Sequence, residues 1–199
     1  TDPSPSNSNM HGTPVAGLAL AIYNNSIGCS GVAGDATLVA FRLIAAPVFD
    51  SDEAESIEVF SDVIDIRSNS WGPHDYTYNV NGPGILSRDA LERSVREGRG
   101  GAGTIHIWAG GNGGPFDSVN RDGYANSIYT IAVSSIADDS RRAWYSEPGS
   151  CITVVAPSGG RQDGPHRRND GLVTLDLPGA YGYSTTQYEP EFGGTSGAA

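Results

Sequence analysis

Helix-patterned segments alternate with short apolar runs through the first two thirds of this chain, and that alternation restricts its fold more than any other feature. Residues 13–23 read as a buried helix, with Pro14 suited to its first turn. Residues 38–44 form an apolar, β-branched run and read as a buried strand. A helix is predicted over 52–60, acidic in its first turn, and a strand over 63–69. Residues 87–97 are amphipathic, with Ser87 placed as N-cap and Gly98 past the end. Strands are predicted over 104–108, 127–133 and 152–156. The first ten residues and residues 159–170 read as polar loops, and residues 193–199 as a glycine turn entering a helix. This order implies an α/β fold, a mostly parallel sheet with helices on both faces. Ligands on such sheets bind at the carboxyl ends of strands. Three glycine-flanked polar residues fall at such junctions: Ser70, Asn112 and Ser196.

Composition removes several classes of function. Twenty-three acidic against 12 basic residues give a formal charge of −11, the wrong sign for a nucleic-acid face. No apolar run approaches a membrane span, and nothing at the start reads as a signal peptide. Two cysteines cannot build a disulfide scaffold, and two free buried thiols are expected. Twenty-seven glycines mark turns and close backbone approaches.

Chemistry can be placed at three points. Ser196 sits between small residues at a turn opening a helix, near free backbone N–H groups that suit an oxyanion. A serine needs an adjacent base to become a nucleophile, and His11 stands at a helix start. Asn112 lies between two pairs of glycines at a strand end, where its amide can meet a developing negative charge. A dinucleotide site is disfavoured, because Gly110-Gly-Asn-Gly-Gly114 lacks the Gly-x-Gly-x-x-Gly spacing.

The segments His11-Gly-Thr-Pro-Val-Ala-Gly17, Asn24-Asn-Ser-Ile-Gly28, Asn69-Ser-Trp-Gly72, Gly111-Asn-Gly113 and Gly194-Thr-Ser-Gly-Ala-Ala199 occur in that order. Together they resemble the subtilisin-like serine proteases. Ser68-Asn-Ser-Trp-Gly-Pro-His-Asp75, Asp122-Gly-Tyr-Ala-Asn-Ser-Ile-Tyr129 and Trp144-Tyr-Ser-Glu147 are similar to the kexin and furin branch. The resemblance implies a three-layer subtilisin-like fold, with residues 1–199 forming one partial catalytic domain, incomplete at both ends. It implies Ser196 as nucleophile, His11 as general base, and Asn112 in the oxyanion hole. Ser70, Trp71 and Gly72 would pair with substrate backbone. Asp75 and Asp122 would receive a basic side chain before the scissile bond, with Tyr124 and Glu53 also contributing to substrate binding. A strict multibasic preference is not implied, because Asn81 stands where furin has an acid.

The same resemblance implies calcium at Asp75, Asp117 and Glu147. A second calcium set would use the Asn25 side chain and the carbonyls of Ile22, Ile27 and Cys29, with further ligands upstream. The triad aspartate is likewise expected before residue 1; Asp2 lies in a Pro/Ser loop and is not given that role. The implied protein is a secreted or cell-envelope monomer acting on basic protein or peptide substrates. It has no nucleic-acid or membrane partner, and a pro-segment in a longer chain is compatible with this reading. The competing class is a subtilase-like domain that binds basic peptides without cutting them.

Overall fold

The computed structural model describes residues 4–5, 9–76, 78–160 and 171–199. Asp2 and most of the polar loop at 159–170 lie outside the described residues.

Helix α1 (Gly12–Leu20) starts at His11 and carries Pro14 in its first turn. Its C-terminal carbonyls would be orphans. The returning chain satisfies them, with Gly31, Val32 and Ala33 donating to Ala21, Leu18 and Ala19 at 2.8–2.9 Å. The helix therefore ends three residues earlier than its apolar pattern suggests.

Helix α2 (Asp50–Glu58) begins with three acids in its first turn, and Asp52 Oδ2 accepts from Phe49 N–H at 2.9 Å. Helix α3 (Ile85–Gly101) loses helical geometry at Gly98, Arg99 and Gly100. Ser87 is not its N-cap. Gly84 holds that position, and Asp50 of α2 accepts from Leu86 N–H and Ser87 N–H, both at 2.9 Å. A carboxylate from a neighbouring helix replaces the local cap, which sequence spacing could not reveal.

Four parallel strands form the main sheet in the order β1 (Ile66–Asn69), β2 (Ile105–Ala109), β3 (Ile131–Ile136) and β4 (Ile152–Pro157). Arg67 pairs with His106 and Asn69 with Trp108 across β1 and β2. Strand β3 is buried at four consecutive positions, the pattern of a strand covered on both faces. Ile57, Ala90, Leu91, Trp108, Val119, Tyr124 and Ala132 make one core between α2, α3 and the sheet. Helix α4 (Thr195–Ala198) packs on β3 and β4 and touches α1.

Residues 38–44 do not form a strand. They have no ladder partner among the described residues, Ile44 already enters a turn, and Leu38, Val39, Phe41 and Ile44 are exposed. A strand is defined by its neighbour, and among the described residues none pairs with this run. The strand expected over 127–133 begins only at Ile131, because residues 127–130 close a turn through Thr130 N–H to Ser127. An antiparallel pair, β5 (Leu172–Leu175) and β6 (Tyr188–Phe192), was not anticipated, although Leu172-Val-Thr-Leu175 carries a strand-like pattern. It seats α1, because Thr174 Oγ1 donates to Pro14 carbonyl at 2.8 Å.

The buried face of β1 and β2 is polar in one place. Arg67, 6% exposed, donates to the carbonyls of Ser56 and Val59 at the end of α2, where a cation also complements the helix dipole. His106, 1% exposed, meets Ser94 Oγ of α3 at 2.9 Å. Cys29 and Cys151 are free, as expected, but only half-buried.

Candidate active site

The carboxyl ends of β1 and β2 and the start of α4 surround a cavity of about 280 Å³. His11, Ser70, Trp71, Gly72, Asn112 and Ser196 line it, together with Asp75, Asp117, Asp122 and Glu147. A second cavity, of about 350 Å³, meets His11, Asn112 and Ser196 from the side of Tyr183, Glu189 and Phe192.

His11 is half-buried, and its ring centroid lies 5.9 Å from that of Phe192. Burial lowers its pKa below the usual histidine value, which keeps the imidazole neutral and able to accept a proton at neutral pH. Ser196 occupies the first turn of α4, behind Gly194 at φ 78°. Ser70 Oγ donates to the Ser196 carbonyl at 3.3 Å and ties the end of β1 to α4.

Asn112 is fixed from several directions. Its Oδ1 accepts from Thr195 N–H at 2.8 Å and from Thr195 Oγ1 at 3.1 Å. Its own N–H donates to Asp75 Oδ1 at 3.1 Å, and its carbonyl accepts from Tyr76 OH at 3.3 Å. With the amide oxygen engaged, Nδ2 is the group left for a ligand. Thr195 and Tyr76 are thus supporting residues that motif reading passed over, although Thr195 adjoins Ser196.

Trp71 packs edge-on against Trp108 and Tyr124, with ring centroids 4.8 and 5.1 Å away. Its carbonyl accepts from Trp108 Nε1 at 2.6 Å and so faces inward. Tyr124 is buried in this stack, and its OH donates to Glu53 Oε2 at 2.7 Å. Burial, and then that carboxylate, push the phenol pKa up. Glu53 also accepts from Ser87 Oγ at 3.2 Å. Neither Glu53 nor Tyr124 lines the cavity; both stand behind it.

The acids differ in surroundings. Asp122 Oδ1 accepts from Tyr124 N–H at 2.8 Å and Ala125 N–H at 3.3 Å. Its pKa is still pushed up to about 6, mainly by burial and further by Asp75 and Asp117. Glu147, 5% exposed, accepts from Gly113 N–H at 3.0 Å. Burial, with Asp117 and Asp75 adding to it, pushes its pKa up to about 7. Asp117, 9% exposed, accepts from Ser118 N–H at 2.8 Å and meets Arg121 Nη1 at 3.5 Å. Arg121, His74, Asn79 and Ile44 also line the cavity and were not singled out from sequence. Arg121 could have been noticed, because it directly precedes Asp122.

The chemistry of Asp75, Asp117 and Glu147 suits a hard cation: three carboxylates share one cavity, and burial, with Asp117 and Asp75 nearby, disfavours the charge of Glu147. Among the described residues, however, no three His, Cys, Asp or Glu side chains are drawn together as a finished cage. Asn25, in the other expected calcium set, closes its own turn by accepting from Ile27 N–H at 2.9 Å. The side chains of Ile22 and Ile27 in that turn are exposed, and Cys29 is half-buried.

A serine, a neutral histidine and a free amide N–H₂ facing one cavity on a parallel α/β sheet define a candidate site for nucleophilic hydrolysis. Comparison with known proteins narrows the class. The model of the Subtilase family matches residues 1–199. The chain is 42% identical over 183 residues to Endoprotease bli-4 of Caenorhabditis elegans, covering 89% of this chain and 19% of that protein. It is 42% identical over 175 residues to Proprotein convertase subtilisin/kexin type 4 of Homo sapiens, covering 87% and 22%. A crystal structure of the serine protease of Aeromonas sobria superposes with a TM-score of 0.82 at 24% identity, covering 99% of this chain and 40% of that one. The chain belongs to the subtilase family, and it spans about a fifth of the length of these two curated relatives.

Proposed function

We propose that this chain is part of the catalytic domain of a serine endopeptidase that cleaves after Arg or Lys. The observation that carries the reading is the shared cavity: His11, Ser196 and Asn112 meet there with the carboxylates of Asp75 and Asp122. The kinship with a proprotein convertase and a nematode endoprotease supports it.

In the proposed reaction, Ser196 Oγ attacks the scissile carbonyl carbon while His11 takes the hydroxyl proton. The carbonyl oxygen becomes an oxyanion and accepts from Asn112 Nδ2 and the Ser196 N–H. Collapse breaks the C–N bond, and His11 returns its proton to the leaving amine. Water, deprotonated by His11, then hydrolyses the ester and regenerates Ser196. A carboxylate that orients His11 is proposed to lie upstream of residue 1.

Alternate residues of an extended segment turn opposite ways. With the Trp71 carbonyl facing inward, those of Ser70 and Gly72 are left to pair with substrate backbone as an added strand. A guanidinium entering the cavity would meet the Asp122 carboxylate as a charge-assisted hydrogen-bond partner, with Asp75 adding attraction. Glu53 and Tyr124 would act from behind by holding Trp71. Calcium would be held by Asp75, Asp117 and Glu147 and would supply the charge that offsets their repulsion. Asn25 with the carbonyls of Ile22, Ile27 and Cys29 would form the second calcium set. The protein would work outside the cytosol on basic protein substrates, matured from a longer chain.

A serine-directed phosphonate tests the reading on the full-length protein. Covalent labelling that disappears in Ser196→Ala, with faster hydrolysis of Arg than of norleucine peptide amides, is expected. An unlabelled protein that still binds Arg peptides would instead be a binding module.

A further inference from the structure

Arg121 is a basic residue lining a cavity that holds four carboxylates. Its backbone is fixed on both sides. Its N–H donates to Ser118 carbonyl at 2.8 Å, and its carbonyl accepts from Asn81 N–H at 3.0 Å. The side chain is not fixed in the same way, being 41% exposed. Its Nη1 lies 3.5 Å from Asp117 Oδ1, and the guanidinium carbon stands 5.8 Å over the Tyr78 ring. The contact is long, half-solvated and open to displacement. Asp117, in contrast, is nearly buried, and a buried carboxylate requires a partner.

Each carboxylate of the expected calcium set already gives one oxygen to a backbone N–H: Asp75 to Asn112, Glu147 to Gly113 and Asp117 to Ser118. Asp117 differs from the other two in also meeting Arg121. Resting on the proposed calcium reading, we infer that Arg121 is a resident counter-cation that competes with calcium for Asp117 and thereby sets how much calcium the site requires. When the divalent ion is scarce, Arg121 partially neutralises Asp117. When the ion binds, Arg121 gives up Asp117 and keeps its place over Tyr78 or in solvent. The guanidinium also adds one positive charge beside the site, which opposes entry of a second cation.

The test is calorimetric titration of calcium into the metal-stripped full-length protein, a readout separate from activity. Arg121→Gln, and Arg121→Met as a second neutral variant that keeps the stem, are expected to tighten the calcium dissociation constant about two- to tenfold. That range reflects loss of a partly exposed ion pair and of one nearby charge. Arg121→Lys keeps the charge and should stay within about twofold of the unmodified protein. The gap between Gln and Lys variants should narrow in high salt, where exposed charges are screened. Unchanged or weaker calcium affinity in the neutral variants overturns the inference alone, as does equal tightening in the Lys variant. Calcium binding by none of the proteins overturns the calcium reading and the inference with it.

Discussion

The side-chain oxygen of Asn112 is 2.8 Å from the backbone N–H of Thr195, the residue before the candidate nucleophile. With the Thr195 hydroxyl contact to the same oxygen, this hydrogen bond sets the amide's orientation and couples the end of β2 to α4. Asn112→Ala should lower kcat about 10²- to 10³-fold with little change in KM. That range is the known effect of removing the oxyanion asparagine in subtilisin, a member of this family, and is carried over. Thr195→Val keeps the backbone donor and loses only the 3.1 Å hydroxyl contact, so its kcat should fall by tenfold or less. Steady-state kinetics on one Arg peptide amide separates the two variants.

Asp122→Asn tests recognition of charge. The amide oxygen can still accept from Tyr124 and Ala125 N–H, so the loop should hold. A charge-assisted hydrogen bond to substrate would be lost, worth about 1.5–3 kcal/mol. The ratio of kcat/KM for Arg over norleucine substrates should fall at least about tenfold. An unchanged ratio would remove Asp122 from the pocket.

Gly111 sits at φ 89°, and a Cβ there would fall 2.7 Å from the carboxyl carbon of Glu147. Gly111→Ala should destabilise the fold by at least about 1–2 kcal/mol from backbone conformation alone. It should also reduce kcat, because Asn112 is the next residue. A urea melt and one rate measurement check both.

His106 makes a pH signature. Its pKa is lowered to about 4 by burial, with Arg67 adding repulsion. The unfolded chain, with an ordinary histidine pKa near 6.5, therefore binds more protons than the native state between those values. This contribution is fully present above about pH 6.5 and is lost as pH falls towards 4. His106→Gln should flatten that slope in urea midpoints measured across the range. A slope that persists unchanged would assign the acid sensitivity elsewhere.

The parts of this site visible in sequence are those where backbone geometry demands a residue type. Glycines around Asn112 and before Ser196 mark close approaches, and His11 opens a helix that Pro14 announces. The misplaced parts depend on partners distant in sequence. Glu53 and Tyr124 are acidic and aromatic in the expected way, yet they bond each other behind Trp71 instead of facing the cavity. Ser87 resembles an N-cap, yet Asp50, 37 residues away, does the capping. Residues 38–44 have strand composition but no neighbour to pair with among the described residues, and a ladder cannot be inferred from one strand. Arg121 belongs to no motif, and only the fold brings it to Asp117.

The aromatic cluster under the site also gives the protein an optical address. The chain has three tryptophans. Trp71 and Trp108 stand 4.8 Å apart at 63°, and Tyr124 stacks on Trp108 at 5.2 Å. Rings this close and this inclined couple their electronic transitions, so near-ultraviolet circular dichroism should be dominated by this cluster. Trp71 belongs to the segment where a peptide would add as a strand. Occupancy of the groove can therefore be followed by light, without a label and without turnover.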